Sequence, residues 1–262
     1  MQAHPKKHFG QHFLRESHYI DRIIAALAPR DGDRIVEIGP GEGALTLPLL
    51  RKTGQLTAIE LDTDLIPRLE QAAAPIGQLD IIQRDVLKTD FTALAAGGRL
   101  RVVGNLPYYI SSPILFHCVA HAEAIVDMHF MLQKEVVDRM AAAPGSKTYG
   151  RLSVMLQLAC RVEPLFEVPP DAFNPPPKVD SAVVRLTPLS PEQRAEVDGS
   201  CLDAVVKAAF GQRRKTLSNA LRQLLDADAL REAGVDPRAR AETLPPGDFV
   251  HLARLLGARR LA

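Results

Sequence analysis

Arg34-Ile35-Val36-Glu37-Ile38-Gly39-Pro40-Gly41-Glu42-Gly43 is the stretch that decides the fold, and an apolar helix pattern follows it over residues 44–50. A β-branched run, a glycine-rich turn and a helix are typical of a parallel sheet covered by helices. The turn has the spacing Gly-x-Gly-x-Gly, which does not match the dinucleotide fingerprint, and no Lys-Ser/Thr pair follows it, which excludes a P-loop. The stretch predicts a turn whose backbone approaches a ligand closely.

Polar residues end three further predicted strands. Glu60 ends the strand over residues 55–60, Asp85 follows the strand over residues 79–84, and Asn105 follows the β-branched pair at residues 102–103. Singly, such acids also suit a helix N-cap or a solvated loop. Because parallel sheets bind ligands at the carboxyl ends of their strands, all of these residues are expected to meet at one site. Glycines, a ribose-binding acid and an adenine-reading acid indicate a nucleoside, and the lack of a pyrophosphate-binding element favours S-adenosylmethionine over a dinucleotide.

The segment Asn105-Leu106-Pro107-Tyr108 carries groups that suit the recognition of a planar amine. The amide oxygen of Asn105 and the carbonyl of Leu106 can each accept a hydrogen from such an amine, and Tyr108 can stack its ring. A strand end followed by a proline turn is the plainer interpretation of the same residues.

The charge of the chain is divided unevenly along its 262 residues. Both ends are basic and the centre is acidic, which favours a polyanionic partner held by the ends. Arg213, Arg214 and Lys215 are predicted at the start of a helix, where the helix dipole disfavours cations unless an anion binds nearby. Two alternatives stay open: ordinary surface solubility also explains the uneven charge, and a solvated helix end also explains the three cations.

The pattern of strands and helices predicts two domains. Residues 1–189 form an α/β domain with an N-terminal arm at residues 1–16, a fifth strand at residues 124–132, and an antiparallel hairpin over residues 162–168 and 182–186. Residues 190–262 show helical periodicity alone and predict a small all-α domain.

The three cysteines are far apart and form no CxxC pair, so neither a disulfide framework nor a metal site is expected. No apolar run approaches the length of a membrane span, and a soluble cytoplasmic protein is predicted.

Taken together, six segments closely resemble the ribosomal RNA adenine dimethyltransferases, in particular their bacterial small-subunit (16S) branch. The segments are Phe9-Gly10-Gln11-His12-Phe13-Leu14, Glu37-Ile38-Gly39-Pro40-Gly41, Asn105-Leu106-Pro107-Tyr108, and residues 144–153, 173–181 and 210–221. The resemblance implies a Rossmann-like class I methyltransferase fold, with a seven-stranded, mostly parallel sheet ending in an antiparallel hairpin, joined to the small helical domain.

The resemblance also implies an activity and its site. The activity is dimethylation of the N6 amine of two adjacent adenosines near the 3′ end of 16S ribosomal RNA, with S-adenosylmethionine as cofactor. The partner is 16S RNA within the small ribosomal subunit or its precursor, and the enzyme is expected to be a monomer. The residues that the resemblance places on the cofactor are His12, Leu14, Gly39, Glu60, Asp85 and Asn105. Those placed on the target adenine are Asn105, Leu106, Pro107 and Tyr108, with Phe173 flanking it. Arg213, Arg214 and Lys215 are predicted RNA contacts on the charge pattern alone.

Two positions depart from the family pattern: His12 stands where Asn is common, and Tyr109 stands where relatives often have Asn. Two other functions stay open at this point. A protein methyltransferase acting on a glutamine amide uses a similar Asn-Pro-Pro-Tyr motif, although Leu106 and the basic helical domain count against it. A non-enzymatic RNA-binding assembly factor could keep the fold without the chemistry, although Glu60, Asp85 and Asn105 are intact.

Overall fold

The structure is a computed structural model that describes residues 12–212 and 214–261. The chain folds into two compact units, one of residues 1–137 and 163–188 and the other of residues 138–162 and 189–262. Over the described residues, no helix is both long and apolar enough to cross a lipid bilayer.

The first unit is built on a seven-stranded sheet with the strand order β4-β3-β2-β5-β6-β9-β7. The strands of the chain are β1 Phe13–Leu14, β2 Ile35–Ile38, β3 Gln55–Glu60, β4 Gln78–Gln83, β5 Leu100–Asn105, β6 Ile125–Gln133, β7 Cys160–Val168, β8 Phe173–Asn174 and β9 Ser181–Pro188. Strands β2 to β6 pair in parallel, and β9 runs antiparallel to β6 and is hydrogen-bonded to β7. The predicted sheet is confirmed.

The helices of this unit cover the sheet and bury the side chains of its central strands. They are α1 Ser17–Leu27, α2 Thr46–Thr53, α3 Ile66–Ala73, α4 Phe91–Ala95 and α5 Ser111–Ala120, and α6 Lys134–Met140 follows β6 into the second unit. All four residues of β2 are buried, as expected for a central strand covered on both faces. The chain leaves β2 toward β3 on one side and returns to β5 on the other. This reversal opens a crevice at the carboxyl ends of β2 and β5, where α/β sheets bind ligands.

A small second sheet places the start of the described chain near the crevice. Strand β1 pairs antiparallel with β8, with Leu14 opposite Phe173. The backbone amide of Arg15 then donates to the carbonyl of Ala172 at 2.8 Å. The segment that precedes α1 is therefore fixed against the first unit.

The second unit is helical. Its helices are α7 Arg151–Gln157, α8 Gly199–Gly211, α9 Leu217–Ala220, α10 Ala227–Glu232 and α11 Pro246–Leu261. Val205, Leu221 and Phe249 are among the fully buried residues of its core. Asp198 and Asp226 cap α8 and α10 by accepting from backbone amides of the first turn.

The helical unit includes residues 138–162 as well as residues 189–262, so it is larger than the domain of residues 190–262 that the sequence predicts. Tyr149 is fully buried in that unit's core, and its hydroxyl donates to the carbonyl of Leu244 at 2.8 Å. The backbone amide of Gly145 donates to the carbonyl of Glu242 at 2.7 Å. The segment lies between two strands of the sheet along the chain and still completes the helical core.

Candidate active site

One cavity of about 400 Å³ lies at the carboxyl ends of β2, β3 and β5. It falls within the size range of small-molecule sites. The predicted residues that line it are His12, Leu14, Gly39, Glu60, Asp85, Asn105, Leu106, Pro107 and Tyr108. The structure therefore brings the predicted cofactor residues and the predicted Asn105-to-Tyr108 motif to a single site.

The glycine-rich turn leaves its backbone open to the cavity. Gly39 has a φ of +66°, which disfavours any residue with a Cβ, and a Cβ built there would meet no atom within 4 Å. Gly41 has a φ of +57°, and a Cβ there would lie 3.1 Å from the ring of Phe13. Phe13 of the N-terminal segment therefore packs closely on the turn, while Gly39 leaves room for a ligand.

Glu60 ends β3 as a buried carboxylate, with only 7% of its surface exposed. One oxygen accepts from the backbone amides of Leu61 and Asp62, both at 2.8 Å, and the other accepts from the amide of Gly41 at 3.3 Å. Burial raises the pKa of Glu60 above its ordinary value, against the opposing effect of these three donors. Glu60 thus orders the glycine turn and presents acceptor oxygens to the cavity.

Glu37 is a cavity residue that sequence reasoning missed. It lies in the middle of β2, only 2% exposed, and its carboxylate accepts a hydrogen bond of 2.6 Å from the hydroxyl of Thr46. Burial raises its pKa to about 8, and the charge of Glu60 acts in the same direction. Burial therefore favours the protonated form of this carboxyl, which lines the cavity.

We expect Glu37→Gln to become increasingly stabilising relative to wild type as the pH rises from about 4.5 to about 8. A carboxyl whose pKa is raised by folding binds more protons in the native state, so its contribution to stability is lost across this window. The difference in the free energy of unfolding should grow by up to about 1.4 kcal/mol per pH unit. Denaturant unfolding of both proteins at several pH values measures it. A constant difference would mean that folding leaves the pKa of Glu37 unchanged.

Asp85 lies just beyond β4 and serves in part as a cap. One of its oxygens accepts from the backbone amide of Leu87 at 2.9 Å, which is the N-cap interaction considered from the sequence. A ring nitrogen of His117 in α5 lies 2.7 Å from the carbonyl of Thr89, four residues beyond Asp85. Since a carbonyl only accepts, the His117 nitrogen donates, and α5 holds the loop that carries Asp85.

Asn105 has its amide oriented by the N-terminal segment. Its side-chain nitrogen donates to the backbone carbonyl of His12 at 2.9 Å. Because that carbonyl can only accept, the amide nitrogen must face it, and the amide oxygen is turned the other way. This is the orientation that an acceptor for a substrate amine requires.

Gly104 explains why the strand can end so close to β2. A Cβ at Gly104 would lie 2.6 Å from the carbonyl oxygen of Ile38, closer than a side chain can approach. Leu106 follows Asn105 and is 1% exposed, and its amide donates to the carbonyl of Met131 at 3.1 Å. The Asn105-to-Tyr108 motif is therefore fixed by backbone contacts with both neighbouring strands, β2 and β6.

Tyr108 is anchored at both its hydroxyl and its ring. The hydroxyl lies 2.6 Å from the hydroxyl of Ser181, and burial raises its pKa above the ordinary value. The ring of His12 is stacked on it, with centroids 5.6 Å apart and an interplanar angle of 26°. Nδ1 of His12 lies 2.9 Å from the carbonyl of Pro175, so Nδ1 is the donor. His12 thus connects Asn105, Tyr108 and the proline loop.

The structure does not bring every predicted site residue to the cavity. Phe173 is 4% exposed and packs in the core of the first unit, because the alternation of β8 turns it inward and leaves Asn174 exposed. Arg214 and Lys215 are exposed between α8 and α9, within the helical unit. Arg213 and residues 9–11 of the segment Phe9–Leu14 lie outside the described residues.

The residues of the cavity fit S-adenosylmethionine on their own chemistry. Gly39 leaves the open backbone that a close-packed ligand needs, and Glu60 supplies buried acceptors for hydroxyl groups. Asp85 uses one oxygen as a cap, and its other oxygen can accept from an exocyclic amine. These residues would hold the nucleoside, and Asn105 and Tyr108 line the same cavity.

Comparisons with known proteins agree with this geometry. The sequence model of the family described as ribosomal RNA adenine dimethylase matches residues 3–257. The chain is 62% identical over 253 residues to "Ribosomal RNA small subunit methyltransferase A" of Xanthomonas campestris pv. campestris (strain B100), with 97% of each chain covered. The protein of the same name from Xanthomonas axonopodis pv. citri (strain 306) gives the same identity and coverage.

Two solved structures share the fold over most of the chain. A dimethyladenosine transferase from Plasmodium falciparum superposes with a TM-score of 0.80 at 28% identity, covering 92% of this chain and 96% of that one. The 23S rRNA methyltransferase ErmE superposes with a TM-score of 0.69 at 26% identity, covering 94% and 99%. The resemblance stated from the sequence is confirmed. The chain belongs to the ribosomal RNA adenine dimethylase family and is an S-adenosylmethionine-dependent RNA methyltransferase.

Proposed function

We propose that this enzyme dimethylates the N6 amines of two adjacent adenosines near the 3′ end of 16S ribosomal RNA. The substrate is the small ribosomal subunit or its precursor, and the enzyme acts in the cytoplasm as a monomer. The observation that carries the proposal is the single cavity that joins the nucleoside-binding residues to an Asn105 amide of fixed orientation. The 62% identity to proteins named as small-subunit methyltransferases supports this choice of substrate over a glutamine side chain or large-subunit RNA.

The residues of the site favour attack by an amine that is a weak nucleophile. When bound, S-adenosylmethionine supplies an electrophilic methyl group on a positively charged sulfur. The Asn105 oxygen and the Leu106 carbonyl accept the two hydrogens of the adenine amine and favour its tetrahedral form. Tyr108 stacks the base, which must be single-stranded or turned out of a helix to enter. Such positioning contributes several kcal/mol of barrier reduction, and the amine's proton passes to water.

The test is methyl transfer from labelled S-adenosylmethionine to three substrates: small subunits, large subunits and a protein extract. We expect label in the RNA of small subunits. Label confined to large-subunit RNA or to protein would refute the choice of substrate, whereas binding to small subunits without label would support the assembly-factor alternative.

The basic segment at Arg213, Arg214 and Lys215 is proposed to bind RNA phosphates. Changing all three to Ala should reduce the slope of log affinity against log salt by up to about three, since each phosphate contact contributes about one. Salt titrations of RNA binding measure the slope. The variant Lys52→Ala with Arg68→Ala removes two exposed cations from the first unit as a control. An unchanged slope in the triple variant would place the RNA surface elsewhere.

A further inference from the structure

Tyr109 presents an exposed aromatic ring at the cavity. Among the described residues, the exposed large hydrophobic side chains are Leu61, Tyr109, Val126 and Val179, and Tyr109 is 58% exposed. Of these four, Tyr109 has the only ring, and it lines the same cavity as Asn105 and Tyr108. An exposed aromatic ring beside a binding site offers a π-face on which a planar ligand group can stack.

The backbone that carries Tyr109 is fixed on both sides. Residues Tyr108–Ile110 form a single 3₁₀ turn. The hydroxyl of Ser111 donates to the carbonyl of Tyr108 at 3.1 Å, and the amide of Ile110 donates to the carbonyl of Pro107 at 3.2 Å. The neighbouring Tyr108 is held through its hydroxyl by Ser181. A ring on such a turn loses little freedom when a ligand stacks on it, because only its side-chain torsions remain to be ordered.

The ring of Tyr109 makes no aromatic or cation–π contact within the part of the chain that the structure describes. The ring contacts found there pair other side chains, including His12 with Tyr108, and the cations that lie over rings do so over Phe13, Tyr19 and Phe166. Tyr108 is in the opposite situation, since it is half-buried and engaged by His12 and Ser181. The two adjacent tyrosines therefore differ: Tyr108 is held by contacts within the protein, and Tyr109 lines the same cavity with its ring exposed.

We propose that Tyr109 is a stacking subsite for the nucleobase next to the target adenosine. The inference rests on the proposed function, because it assumes a splayed RNA strand whose target base lies on Tyr108. The next base along the strand then leaves the cavity beside Tyr109. Every base offers a π-face, so an aromatic platform can hold it whatever its identity. With two adjacent adenosines as targets, the second adenine occupies this subsite while the first is methylated.

A stacking subsite outside the reacting centre contributes to binding of the RNA and does not change the rate of the chemical step. Tyr109→Ala should therefore raise KM for the RNA by roughly 5- to 150-fold, the range for loss of one base–aromatic stack. The steady-state kcat at saturating RNA should stay within about threefold, because the groups on the amine are unchanged. Cofactor affinity should stay unchanged as well. Tyr109→Phe keeps the π-face and should keep the wild-type KM.

The experiment compares wild type, Tyr109→Ala, Tyr109→Phe and Val126→Ala in steady-state methylation and in binding of RNA with a fluorescent purine analogue next to the target adenosine. Val126→Ala is the matched control, because it removes an exposed hydrophobic side chain that does not line the cavity. We expect fluorescence quenching with wild type and Tyr109→Phe, and its loss with Tyr109→Ala. Far-ultraviolet circular dichroism checks that each variant is folded.

The outcomes distinguish failure of the Tyr109 subsite from failure of the proposed function. An unchanged KM and unchanged quenching in Tyr109→Ala would overturn the subsite and leave the proposed function standing. An equal rise in KM for Tyr109→Phe would also overturn it, because the hydroxyl group would then carry the binding. A wild-type enzyme that methylates no small-subunit RNA would instead refute the proposed function. If Tyr109→Ala fails to fold, the fluorescence of Tyr109→Phe and of a Tyr109→Asn variant decides between ring and no ring.

Discussion

Asn105→Ala is expected to slow methyl transfer by about two to three orders of magnitude, the usual result of removing one preorganised polar group at a reacting centre. The structure gives the reason, because the His12 carbonyl holds the amide nitrogen and leaves the amide oxygen for the adenine amine. RNA binding should change little, since affinity for a ribosomal particle is spread over many phosphate contacts.

The measurement for Asn105→Ala is single-turnover methylation of small subunits at saturating cofactor, with RNA and cofactor binding assayed in parallel. A variant that methylates at nearly the wild-type rate would refute the catalytic role of the motif. A folded variant that binds neither ligand would show that Asn105 mainly holds His12 and the strand end in place. Thermal unfolding of the variant distinguishes these outcomes from simple loss of structure.

Glu60→Ala is expected to weaken S-adenosylmethionine binding by about 2–4 kcal/mol, or roughly 30- to 900-fold, through loss of charge-assisted hydrogen bonds to the ribose. The structure adds a second effect. The carboxylate also accepts from the amides of Gly41, Leu61 and Asp62, so the alanine variant leaves three backbone donors, that of Asp62 buried, without their acceptor. A loss of stability should therefore accompany the loss of affinity.

Calorimetry on folded protein separates these two effects of Glu60. Glu60→Gln keeps an oxygen that can accept from Leu61 and Asp62, so it should retain more stability than Glu60→Ala while still binding the cofactor weakly. Glu70→Ala removes an exposed acid from α3 and is the control for loss of charge alone. Wild-type affinity in folded Glu60→Ala would refute the assignment of this carboxylate to the cofactor.

Most of the first unit follows from local patterns in the sequence. Strands β2, β3 and β5 are β-branched or apolar runs: Gly39 follows β2, and β3 and β5 end at Glu60 and Asn105. Strand ends are where parallel sheets collect their functional groups. The helical unit was less predictable at its edge. Tyr149 lies in a polar loop of the sequence, and only the tertiary contacts with Leu244 reveal that its segment completes the helical core.

The site was predictable where chemistry is carried by the strand ends, and less so where it depends on packing. Nothing in the local sequence indicates that Gly104 must lack a side chain, because the clash is with the carbonyl of Ile38 on another strand. Glu37 is part of a hydrophobic run. Its pKa is raised by burial, and the run alone does not show how deeply the side chain is buried. Phe173 sits in a proline-rich loop in the sequence, and its pairing with Leu14 places it in the core.

The central claim is that the cavity joining Glu60 to Asn105 dimethylates adenosine in small-subunit RNA. The most direct test is to incubate the protein with S-adenosylmethionine and unmethylated small subunits, digest the RNA, and locate every methylated nucleotide by mass spectrometry, with Asn105→Ala as the matched control. The predicted result is dimethylation of the N6 amines of two adjacent adenosines near the 3′ end, absent or severely reduced with the variant. Methylation at other positions, or equal methylation by both proteins, would contradict it.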